Sequence, residues 1–277
     1  GKGNVSLQAA DLNNQGGTIV ADGQTRLGAT RQLNNQSGQI HGGQGLSLNA
    51  SQLDNRQGKL LSGGDSQVTG SASLNNQDGI IHAARQLTLS GQQINNQQGA
   101  LVGGERLQLS GNLDNRQGQV ASGGQLQLQQ GQIDNRSGSI AAQGDAQLQL
   151  HSLDNQGGKV LANGQLTVTS QGQIQNASGQ LSGVNGVVLQ GSELHNRSGS
   201  ILSGQDLQVR SGSLDNSQGV LGGQGKVVVQ ASGQLNNQQG QIAAGQTLDV
   251  SGVGIVNDGG SLTATGDVVV DAGDAAL

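Results

Sequence analysis

Aliphatic residues recur along this chain in pairs separated by one residue, and the set of pairs repeats about every 20 residues. The asparagine closing each Leu/Ile-x-Asn triplet serves as the anchor. The anchors are Asn14, Asn35, Asn55, Asn76, Asn96, Asn115, Asn135, Asn155, Asn176, Asn196, Asn216, Asn237 and Asn257. Successive anchors lie 19–21 residues apart, so loops of variable length are not inserted between copies. Every copy has Leu or Ile two before the anchor and Gly three after it. An aliphatic residue follows at five after, Ala, Ser or Gly at seven after, and Leu or Val at thirteen after. Eleven after is mostly Leu or Val, with Thr25, Ser66 and Ala146 departing from it.

These offsets make three pairs with a separation of two. That is the strand period, which turns both members of a pair to one side of an extended segment. Three such segments per copy, each too short to bury a face alone, predict a coil that stacks on itself. The expected fold is all-β: a right-handed parallel three-faced β-helix of thirteen rungs, with about 20 residues per rung. Right-handed coiling follows the usual hand of parallel crossovers. Strand spacing of about 4.8 Å would give a rod on the order of 60 Å long. Glycines three residues and eight or nine residues after the anchor are expected to mark two corners through positive φ. The third corner, before the next Leu/Ile, absorbs the one-residue length changes. The chain opens without Met and in mid-pattern, so 1–277 reads as one continuous repeat segment of a longer protein. Its first and last strands are expected to be open edges that associate end to end.

An asparagine between inward aliphatic rows must be hydrogen-bonded or cost about 1–3 kcal/mol. Stacked rungs supply the partner, since each amide can donate to one neighbour and accept from the other. The thirteen anchors are therefore expected to form a structural ladder, and Asn135→Leu to destabilise the fold. The sequons beginning at Asn35, Asn135, Asn176 and Asn196 fall on this ladder and are expected to be inaccessible.

Composition narrows the chemistry. Leu, Ile and Val make up 66 of 277 residues, above the level of disordered chains despite 50 glycines. There is no Cys, Trp, Tyr or Phe, which removes thiolate chemistry, disulfides and aromatic stacking platforms. A net charge of -5 argues against a nucleic-acid partner. No stretch approaches a membrane span. Asp114, Asp134 and Asp154 share a register, with Arg116 and Arg136 two residues on, and read as a solvated, partly balanced row. His41 and His82 share another register two rungs apart, too far to bind one zinc. His151 and His195 stand alone. Paired acids on a β-helix could suggest a polysaccharide-cleaving enzyme, but uniform rungs leave no cleft and no ring walls one. No catalytic residue, cofactor or metal site is expected.

The unit Leu-Asp-Asn-Arg-x-Gly-x-Leu/Val/Ile-x-Ser/Ala-x-Gly-x-Leu-x-Leu is plainest at Leu53–Leu60, Leu113–Leu128 and Ile133–Leu148. It resembles the repeats of filamentous haemagglutinin-like exoproteins of two-partner secretion systems, which include adhesins and contact-dependent growth inhibition effectors. The resemblance implies a secreted or cell-surface shaft of a bacterial virulence protein, exported through an outer-membrane partner pore. It further implies a distal adhesive or toxin module carried elsewhere in the protein. The alternative is a direct adhesive module, with one face of the β-helix meeting a host or bacterial surface receptor.

Overall fold

The computed structural model describes residues 1–273. All regular elements among them are β-strands, and these strands pair in parallel. Packing divides the chain into two units, Gly1–Asp134 and from Asn135 onward. Each unit is a β-solenoid with the same rung.

A rung opens with a four-residue strand. In the first unit these strands are Thr18–Ala21, Gln39–Gly42, Lys59–Ser62, Ile80–Ala83, Ala100–Gly103 and Gln119–Ser122, hydrogen-bonded in that order. Residue five after the anchor lies in the centre of this sheet, and Ile40, Leu60, Ile81, Leu101 and Val120 stack there fully buried. The second unit repeats the arrangement from Ser139–Ala142 through Lys159–Ala162 to Ser261–Ala264, with Ile140, Val160, Leu181, Ile201, Leu221 and Ile242 in the same row.

The other two segments of the rung are not always separate. Gln24–Asn34, Gly45–Asp54 and Asp65–Asn75 are single strands that run through the third corner. In other rungs the strand breaks there, as between Ala146–Leu150 and Ser152–Asp154 or between Leu166–Ser170 and Gln173–Gln175. The three-sided rung thus holds two hydrogen-bonded sheets, one of them folded across a corner. Length changes fall at that corner. Ala29 pairs with Ala50 and Gln32 with Gln52, so a one-residue bulge sits between them and both flanking registers are kept. Because a one-residue slip would turn every inward side chain outward, the bulge keeps the core rows aligned.

The first corner corrects the expectation placed on glycine. Anchor, two residues and Gly make a turn closed by the Gly N–H donating to the anchor carbonyl, as from Gly38 to Asn35 at 3.0 Å. Positive φ falls one residue earlier than expected, on Ser37 (54°), Gln57 (56°), Asp78 (55°) and Ser178 (54°) among others. That is the third position of the turn, where type II geometry requires it. The Gly three after the anchor has no such φ; it is needed because rungs meet there. A Cβ on Gly38 would lie 2.7 Å from its own anchor's Oδ1 and closer still to the carbonyl of Asn14. At the second corner, Gly63 and Gly123 similarly lack positive φ and lie against the backbone carbonyl of the rung before. Serine seven after the anchor caps this corner, with Ser62, Ser122 and Ser203 Oγ donating to carbonyls three residues on at 2.7–2.8 Å.

Candidate functional site

The anchor asparagines of each unit form a continuous side-chain row. In the first unit Nδ2 of Asn14, Asn35, Asn55, Asn76 and Asn96 donates to Oδ1 of the next anchor at 2.7–2.8 Å. In the second unit Asn135, Asn155, Asn176, Asn196, Asn216 and Asn237 do the same at 2.7 Å, ending on Asn257. The second Nδ2 hydrogen is shared between two carbonyls. For Asn196 these are Gly199 at 3.3 Å within the rung and Val220 at 3.2 Å in the next. Each amide therefore joins its own turn to the following rung. Anchors from Asn35 to Asn237 have no exposed surface, Asn14 is 8% exposed and Asn257 is half-buried. The sequon asparagines Asn35, Asn135, Asn176 and Asn196 are buried in this row, out of reach of a modifying enzyme.

At ten of the thirteen anchors the preceding residue is Asp or Asn, Gln175, His195 and Val256 being the exceptions, and it has a role that this alternation concealed. Its Oδ1 accepts the N–H two residues on: Gln36 to Asn34 at 2.9 Å, Arg56 to Asp54 at 3.1 Å, Gln77 to Asn75 at 3.1 Å, Ser217 to Asp215 at 3.0 Å. Either residue type offers that acceptor, which is why they interchange. The arginines add ion pairs. Arg56 meets Asp54 at 2.7 Å, and Arg116 lies 2.6 Å from Asp114 and 3.6 Å from Asp134. Arg136 reaches Asp154 at 3.5 Å and Arg197 reaches Asp215 at 3.0 Å.

Partial burial would raise the Asp54 and Asp114 carboxyls, but hydrogen bonds from Arg56 and from Arg116 and Gln97 hold both below the ordinary value of 3.8. Burial is likewise outweighed at Asp215, by hydrogen bonds from Ser217 and the Arg197 guanidinium. At Asp65 the hydrogen bond from Arg85 is the main cause of a lowered value. Depressed carboxylates stabilise the fold above their unfolded pKa and lose that contribution as pH falls through the folded one. The urea midpoint should therefore be level from about pH 7 to about pH 5 and fall as pH drops through and below 3.8. A midpoint that stayed unchanged on acidification well below 3.8 would exclude these pairs as contributors.

The acidic row brings together no metal-ligating set: no group of three or more His, Asp or Glu could hold an ion among the described residues. His41 and His82 sit on the outward side of the short-strand sheet with Leu61 between them. His195 Nε2 meets Glu193 at 3.1 Å, and His151 contributes its carbonyl to Ser170 Oγ at 3.1 Å. Shallow grooves mark the outer surface of each unit. A polar one of about 630 Å³ in the first unit is lined by Gln24, Arg26, Gln44, Asp65, Gln67 and Arg85, among others. An apolar one of about 660 Å³ in the second unit is lined chiefly by Gly, Ala and Ser, with Val184 and Leu202 standing out of it.

Parallel rungs of near-constant length, tied by a buried amide row, define a repeat protein of the β-solenoid class. The haemagglutinin repeat family model matches the chain in six overlapping segments, residues 1–36, 26–77, 66–130, 121–178, 175–239 and 223–276. The chain belongs to the haemagglutinin repeat family. No curated protein and no solved structure matches it. Repeats and fold together fit the shaft of a filamentous adhesin, a structural and adhesin-like family found in secreted bacterial proteins.

Proposed function

We propose that this chain is a shaft segment of a secreted bacterial exoprotein that holds a distal adhesive or toxin module away from the cell. The unbroken repeat carries this reading: matched segments run from residue 1 to 276, and no rung departs from 19–21 residues. Function in such a segment lies in length and stiffness rather than in a reacting group, so no enzymatic activity is assigned to it. Export runs through an outer-membrane two-partner secretion pore, and the parent is an adhesin or a contact-dependent growth inhibition effector. The absence of cysteine supports this route, because a periplasmic disulfide would obstruct threading.

A second reading, a direct adhesive module, is favoured by the polar groove along Gln24, Asp65 and Arg85. Binding of labelled chain to epithelial and bacterial cells separates the two. The shaft reading expects no binding above an inert rod of similar size. Saturable binding that unlabelled chain competes away would overturn it in favour of the adhesive module.

A further inference from the structure

The outward row of the short-strand sheet in the second unit alternates in size. Six residues after each anchor from Asn135 to Asn237 it reads Ala141, Leu161, Ser182, Leu202, Gly222 and Ala243, and Thr263 follows in the last rung. Two residues further along the rung, Val184 is followed in the next rung by Gly204. Leu202 is 38% exposed and Val184 is 53% exposed. The hollows between them are the apolar groove, and at Gly222 the atom nearest to an added Cβ would be a Leu202 methyl at 3.1 Å. Lys159 is the one charged residue in the outward rows of this stretch.

We propose that this face is a docking surface for a second copy of the same chain, packed face to face about a two-fold axis. Place the axis between the two sheets, along the strand direction, between the rungs of Ser182 and Leu202. Leu202 of one copy then faces Ser182 of the other, Leu161 faces Gly222, and Val184 faces Gly204. Sliding by one rung sets leucine on leucine, and sliding by two leaves Leu161 or Val184 facing a larger residue than Gly or Ser. An axis perpendicular to the strands sets every residue row on its own rung, again leucine on leucine. The pattern is therefore self-complementary in one register, as an isologous interface requires. Lys159 lies opposite Val220 there, so its aliphatic stem covers an apolar side chain while the ammonium reaches solvent.

Area sets the strength. Six rungs at about 4.8 Å and roughly five residues of strand at about 3.3 Å cover about 500 Å² on each copy. The total of about 1,000 Å² is at the lower limit of specific interfaces, the size class of weak, reversible association.

Sedimentation velocity of the 277-residue chain from about 5 to about 500 µM spans the concentrations at which a weak dimer forms. The expected result is a closed monomer–dimer equilibrium. Leu202→Glu and Val184→Glu, both at exposed positions, are expected to weaken it at least tenfold, with Ile80→Glu on the first unit's sheet as the neutral control. Association that is equally strong in the Leu202→Glu variant, including open-ended growth through the terminal edges, would overturn the proposal. So would a monomer at every concentration. The register has its own test, because the chain lacks cysteine. Mixed Ser182→Cys and Leu202→Cys single variants should form a disulfide dimer faster than either variant alone. Equal rates in all three samples would overturn the register.

Discussion

Asn196→Leu lowers the stability of the fold by about 2–6 kcal/mol, because it strands two buried partners rather than one. Leucine has the same side-chain heavy-atom branching as asparagine, with bulkier methyl groups, and would suit the aliphatic rows on either side, so lost packing is not the cause. In the native row Asn176 Nδ2 donates to Asn196 Oδ1, and Asn196 Nδ2 donates to Asn216 Oδ1, both at 2.7 Å. After the substitution Asn176 keeps its shared bond to Gly179 and Ser200 but loses the acceptor for its other hydrogen. Asn216 Oδ1 loses its donor, whereas the carbonyls of Gly199 and Val220 lose only a shared one, Gly199 keeping the Val220 N–H at 2.9 Å. All three asparagines have no exposed surface, so water cannot replace what is lost without opening the rung. Each orphaned group costs about 1–3 kcal/mol, and the same change at half-buried Asn257, the last anchor, should cost clearly less. Denaturant unfolding of both variants checks the contrast. Equal losses at Asn196 and Asn257 would mean that asparagine acts only within its own turn.

Much of this fold was legible because a solenoid writes each structural demand many times. Leu or Ile before the anchor and the aliphatic residue five after it lie in the buried rows where a period of two places them. The anchors themselves fall between those rows, as Asn35 and Asn115 show. Roles carried by interchangeable residues were less legible. Asp54 and Asn75 look like different chemistry but hold the same N–H, so the mixed row read as solvated charge rather than as a turn brace. The polar and apolar grooves were hidden for another reason. They arise from which sizes stand next to each other across rungs, as Leu202 beside Gly222, and the repeat pattern places no restriction on outward positions. Glycine misled most directly, because two separate constraints select it and sequence alone does not say which acts.

Neighbouring residues in one turn separate those constraints: Ser178→Gly stabilises the fold, whereas Gly179→Ala destabilises it. Ser178 is exposed and sits at φ 54°, a conformation in which a Cβ costs about 1–2 kcal/mol. Glycine removes that strain but loses about 0.5–1 kcal/mol more chain entropy on folding, leaving a net gain of up to about 1.5 kcal/mol. Gly179 has no unusual φ, yet a Cβ there would lie 2.6 Å from Asn176 Oδ1, 3.0 Å from Asn155 Nδ2 and closest of all to the Asn155 carbonyl. Backbone of the preceding rung and the amide row both stand in its way, and neither has an alternative rotamer. Relief requires moving two rungs apart, which lengthens the 2.7 Å bond between Asn155 and Asn176. The expected loss is about 3 kcal/mol, the upper part of the range for overpacking a filled interior. Thermal or urea melts of the two single variants give the signs. If Gly179→Ala were neutral and Ser178→Gly destabilising, glycine would be serving backbone conformation after all, and the close approach of rungs would not be what selects it.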